Sequence, residues 1–118
     1  MARVALSSGI QTIPATGLNL TDMTTDNMAT GAGNGVEVPY QQGTYLLLRN
    51  DTAGSAAYTI KVPTPAGMSA RGITVPDVTV NVSASKDVLY PVDALFRQAG
   101  DLVYVDCDVA ANIGCIKA

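Results

Sequence analysis

The chain has 118 residues, a net charge of −3, only 14% charged residues, and neither histidine nor tryptophan. One domain of this length can bury a core without metal or disulfide. Seven scattered basic residues leave no electrostatic footprint for nucleic acid, and without histidine the Ser-His-Asp and Cys-His systems are excluded.

Residues 1–6, MARVAL, alternate Arg3 and Ala5 against Ala2, Val4 and Leu6 and read as a short strand or an extended arm. Residues 7–19 carry Gly9, Pro14 and Gly17 and read as loop. Residues 18–28 place Leu18, Leu20, Met23 and Met28 among Thr and Asp, which suits one helical turn opened by Thr21 or Asp22. The cluster Gly31, Gly33, Gly35 reads as a mobile turn. A strand-like stretch rather than a helix follows it, and no Lys-Ser/Thr pair ends it, so a flexible turn is read in preference to a phosphate loop. Residues 36–40 form a short strand, and Pro39, which cannot donate to a ladder, places it at a sheet edge.

The stretch 43–62, GTYLLLRNDTAGSAAYTIKV, reads as a β-hairpin. Residues 45–48 are apolar on both faces and belong between two layers, while 57–62 alternate as a half-buried strand. Residues 63–67 stop that strand, and 70–76 are irregular. Val78, Val80 and Val82 alternate with polar residues, Ser83-Ala84-Ser85 turns the chain, and 87–90 return. Residues 91–96 suit one turn of helix or 3-10 helix, with Phe96 as a core plug. A closing hairpin pairs 102–107 with 113–117. The prediction is a single all-β domain over residues 1–118. It is a small antiparallel sandwich or barrel, jelly-roll or Ig-like, of about eight short strands with at most short helical turns.

Candidate chemistry is sparse. Asp106 and Asp108 share a strand face, and they read as solvated charges at a hairpin turn rather than as a carboxylate pair or a calcium site. Cys107 and Cys115 lack zinc-site spacing and read as two buried free thiols, with Cys107 on the inward face of Val103 and Val105. The five tyrosines read as core or interface residues. The expectation is a non-enzymatic protein with no cofactor, no metal, no nucleic acid and no membrane partner. Residues 1–15 hold no signal-peptide apolar core, so the chain is expected to be made in a cytoplasm.

The order of motifs from residue 44 to 118 is TYLLLRNDTAGSAAYTIKV, GITVPDVTVNV, then SASKDVLYPVDALFRQAGDLVYVDCD and a last short strand. It resembles a group of small β-rich virion proteins of tailed bacteriophages, of the capsid decoration (cement) type. Residues 7–42 match that pattern least. The resemblance implies a structural protein on the outer capsid surface, with the major capsid protein as partner and self-association, a homotrimer first. The alternative is a tail- or fibre-associated module that binds a host glycan. Met1, Ala2, Arg3, Val4, Ala5 and Leu6 are the candidate capsid or protomer interface, as an arm that closes its own sheet or adds to a neighbour's.

Overall fold

The computed structural model describes residues 3–17, 19 and 23–117. Ten strands are present among them: β1 (Val4–Ala5), β2 (Ile10–Thr12), β3 (Asp26–Asn27), β4 (Val36–Pro39), β5 (Thr44–Asn50), β6 (Ala56–Ile60), β7 (Val78–Val82), β8 (Lys86–Pro91), β9 (Leu102–Cys107) and β10 (Asn112–Lys117). They form two five-stranded sheets. One runs β1-β4-β9-β6-β7; the other runs β2-β10-β5-β8, with β3 also paired to β10. The expected all-β sandwich is therefore observed, with more strands than the eight counted from sequence. Two pairings are parallel, β1 with β4 and β2 with β10.

The period-2 patterns decide which residues face inward. Tyr58 and Ile60 of β6, Val103, Val105 and Cys107 of β9, Val36 and Val38 of β4, and Leu46 and Leu48 of β5 join one buried cluster between the sheets. Phe96 is buried in it, at the end of a 3-10 turn (Ala94–Phe96) whose N-cap Asp93 accepts a hydrogen bond from the Leu95 amide at 2.9 Å. Cys107 and Cys115 are buried free thiols in the same cluster. Burial pushes both thiols above their ordinary pKa.

In the apolar run of β5, Leu46, Leu47 and Leu48 are buried, on both faces as the composition predicts, while Tyr45 is exposed. Leu47 points away from the main core and is fully buried in a second cluster with Met23 and Ile116. The Met23–Thr25 stretch crosses β10 at Gly114, where an added Cβ would lie 3.1 Å from the Thr24 carbonyl.

Strand pairing differs from the sequence expectation. The three expected hairpins are all crossovers between sheets: β5 and β6, β7 and β8, and β9 and β10 each lie in opposite sheets. Buried side chains account for the first of these. Asn50 donates through Nδ2 to the carbonyls of Gly54 and Val82, at 2.7 and 2.9 Å. Its Oδ1 accepts from the Thr52 amide and hydroxyl. The polar turn is thereby bent out of the plane of β5. The pairs actually formed join strands distant in sequence, β5 with β10 and β8, and β6 with β9; β6 with β7 spans residues 61–77.

Four smaller differences follow. Residues 10–12 are strand β2 rather than loop. Of the helical turn expected over 21–28, Thr21 and Asp22 lie outside the described residues, and residues 26–27 form β3. A one-turn helix α1 (Ala66–Ser69) occurs where only a strand stop was expected. The strand β4 is not an edge strand, since β1 covers Val36 and Glu37. Pro39 is tolerated because the Tyr40 amide donates to Asp101 on the β9 side. By alternation the Pro39 nitrogen faces the other way, beyond the end of β1.

Candidate functional site

The outer face of the first sheet carries a concentrated polar cluster around Asp106. Along β9, Val103, Val105 and Cys107 point inward, so Tyr104 and Asp106 point outward. Asp106 is nevertheless only 4% exposed. The Arg3 side chain lies over it, with Nε 2.8 Å from Oδ1 and Nη2 2.6 Å from Oδ2. The amides of Gly35 and Gly33 donate to the same two oxygens, at 3.1 and 2.9 Å. Each carboxylate oxygen thus takes one arginine N–H and one backbone N–H. The guanidinium also stacks on the Tyr104 ring, 4.7 Å from its centre.

Burial works against the charge of Asp106. The Arg3 hydrogen bond, the Gly33 amide, the Arg3 charge and the Gly35 amide together outweigh burial and hold the carboxyl below its usual range. The reading of Asp106 as a solvated charge is therefore corrected. So is the reading of residues 31–35 as a mobile turn, because two of their amides are pinned to β9. The close approach requires glycine at position 35, where a Cβ would sit 1.9 Å from the Val105 carbonyl oxygen. Asp108, in contrast, is exposed, and its carboxylate accepts from the Ala57 amide at 2.8 Å.

Chemically, Asp106 is engaged on both oxygens, which suits a structural anchor rather than a general base or a metal ligand. Among the described residues, no three Cys, Asp or Glu side chains converge to hold a metal ion. Beside the anchor runs a groove of about 260 Å³ lined by Gly31, Ala32, Ala57, Thr59, Lys61, Asp106, Cys107 and Asp108. Lys61 at its end is paired with Asp77 at 2.7 Å.

The candidate interface residues are divided by the structure. Met1 and Ala2 lie outside the described residues. Arg3 is committed to Asp106, and Leu6 is buried in the main core. Val4 is 56% exposed and Ala5 is exposed. In this single chain β1 pairs within its own domain, Val4 opposite Val36 and Ala5 opposite Glu37.

Sequence reasoning found apolar residues on both faces of the 45–48 run but missed Leu89, which extends the outer apolar face of the second sheet. Tyr45 (40% exposed) and Leu89 (46% exposed) lie diagonally across β5 and β8 on that face, beside the buried Leu47. The signal was available in the alternation of β8, where Val88 and Tyr90 pack inward and Leu89 must point out. No helix among the described residues is long and apolar enough to cross a membrane. No family model, curated protein or solved structure matches the chain.

Proposed function

We propose that the chain is a structural virion protein of a tailed bacteriophage. In this reading it is a capsid decoration (cement) protein that binds the outer capsid surface through the major capsid protein and self-associates, as a trimer first. The observation that carries the reading is the exposed Tyr45–Leu89 patch, two large side chains diagonal to one another on one sheet face. Large apolar side chains adjacent on one sheet face are what an interface core uses. The motif order from residue 44 to 118 supports the same reading, and so does a principal carboxylate spent on an anchor.

A tail- or fibre-associated glycan-binding module ranks second. It draws on the groove at Thr59, Lys61 and Asp108, but none of the groove's lining residues is aromatic, so no ring is offered for a sugar to stack on.

The test is a mass-spectrometric copy count on purified virions, together with binding of the Tyr45→Ser/Leu89→Ser variant to capsids lacking the protein. Many copies per particle, and a folded variant that no longer binds, are expected. A handful of copies per particle would overturn the decoration role, and a variant that self-associates and binds capsids as wild type does would overturn the assigned face.

A further inference from the structure

The loop pinned by Asp106 contains the dipeptide Asn34-Gly35. Of the six asparagines in the chain, only Asn34 precedes glycine. Asparagine before glycine is the sequence most prone to deamidation, because no side chain shields the following amide nitrogen. The Gly35 nitrogen, having given its proton to water, attacks Asn34 Cγ. The N–Cγ bond forms, Nδ2 takes up a proton from water, the Cγ–Nδ2 bond breaks and ammonia leaves. Water then opens the succinimide at either carbonyl, giving an aspartyl or an isoaspartyl linkage at position 34.

In the folded chain both reacting groups are held. The Gly35 amide, the nucleophile, donates to Asp106 Oδ1 at 3.1 Å and is buried. The Asn34 side-chain nitrogen, the leaving group, donates to the Thr30 carbonyl at 3.0 Å. The Asn34 backbone amide donates to Gly31 at 3.2 Å. Attack requires the Gly35 nitrogen to leave a carboxylate and turn toward Cγ. We propose that Asn34 is a covalent modification site, a deamidation centre that the Arg3–Asp106–Gly35 anchor keeps closed while the fold is intact.

The anchor and the modification act on one another. An isoaspartyl linkage adds one atom to the backbone between positions 34 and 35. A new carboxylate arises in the loop bound to Asp106 in either product. In the isoaspartyl chain the Gly33 and Gly35 amides then no longer fit both oxygens of Asp106, and in both chains the added negative charge opposes its ionised form. Arg3 loses part of its hold, and β1, paired over only two residues, is released. Deamidation is thus coupled to loosening of the N-terminal strand.

The test follows Asn34 deamidation by peptide mapping of the full chain at neutral pH in buffer, in denaturant, and in Asp106→Asn and Arg3→Gln variants shown to be folded by circular dichroism. The folded wild-type chain should deamidate at Asn34 about tenfold or more slowly than the denatured chain, since a charge-assisted hydrogen bond must be broken. Each folded variant should react several-fold faster than folded wild type. Equal rates in folded and denatured wild-type chain, or no acceleration in a folded variant, would overturn the proposal. Should Asp106→Asn fail to fold, the wild-type comparison and Arg3→Gln decide. The deamidated chain, separated by ion exchange, should be cleaved by trypsin after Arg3 faster than the unmodified chain. Equal cleavage would overturn the release of β1.

Discussion

Among the described residues, three aspartates have carboxyls that this fold holds below their ordinary range. Burial opposes ionisation at each. At Asp106 the Arg3 and glycine donors outweigh it; at Asp26 the Ser7 and Ser8 groups do so; at Asp77 it is Lys61 and the Val62 amide. All three carboxyls therefore sit below their ordinary range. A carboxyl with a depressed folded pKa binds its proton more readily in the unfolded chain, so its contribution is complete above about pH 4 and is lost as pH falls through the folded value. Urea unfolding should accordingly show stability nearly constant from pH 7 to 5 and falling steeply below 4. Removing Arg3 leaves Asp106 its two backbone donors, so Arg3→Ala should cost about 1–3 kcal/mol at pH 7 and should lose less on acidification than wild type. An Arg3→Ala chain whose acid limb parallels wild type would show that the ion pair does not set the Asp106 pKa. None of this was legible at residue 106 itself. Its polar side chain on the outward face of VYVDCD looks like any solvated charge, and the donors come from 71, 73 and 103 residues away. The one available hint was the glycine cluster, whose exposed amides need an acceptor somewhere.

Element positions were legible and element partners were not. The periodicity located the β5, β6, β7, β8 and β9 stretches because alternation is a local property of the chain. Whether two neighbouring strands pair with each other or stack in opposite sheets is decided by what fills the space between them, and that comes from elsewhere in the sequence. Tyr58 shows the difference. It lies on β6 in the first sheet and is fully buried, and its hydroxyl sits 2.9 Å from the Arg49 carbonyl oxygen of β5 and 2.8 Å from that of Asn112 at the start of β10. Burial, then the Cys107 charge, push its pKa far up, against the Asn112 hydrogen bond and with Asp51 and Asp87 adding to the rise, so the phenol remains a donor throughout the working pH range. A tyrosine spanning the two sheets fixes β5 and β6 as stacked rather than paired. Tyr58→Phe keeps the packing and removes the donor from two carbonyls, and should lower stability by about 1–3 kcal/mol in urea without changing the far-ultraviolet spectrum. A cost near zero would mean that water replaces the hydroxyl and that the tie is incidental.

At the scale of the molecule, the two surfaces considered for contact lie on opposite sides of the sandwich. β1 ends the first sheet beyond β4, whereas β8 ends the second sheet beyond β5, stacked beside β7 at the far edge. A two-fold dimer uses the same patch twice, but a three-fold ring needs two different patches that meet head to tail. An exposed Val4 on one side and the Tyr45–Leu89 face on the other supply such a pair. The β8 edge is poorly suited to backbone pairing with a neighbour. Val92 donates to Thr44, so by alternation the outward backbone groups of β8 belong to Asp87, Leu89 and Pro91, a charge at one end and a missing N–H at the other. Contact there must run through side chains. Deleting residues 2–6 is a blunt probe, because it also removes the buried Leu6 and the Arg3 anchor and confuses folding with assembly. Val4→Asp and Leu89→Ser each alter one exposed side chain and leave the core alone. On the trimer reading, light scattering should find each variant monomeric where wild type is trimeric. Mixed one to one, they should form a dimer and stop there, since the intact Leu89 face of the Val4→Asp chain meets the intact β1 side of the other, and the remaining patches are both spoiled. Trimers from either variant alone would remove that residue from the interface. Monomers in the mixture would show that the contact is not head to tail between these two sides.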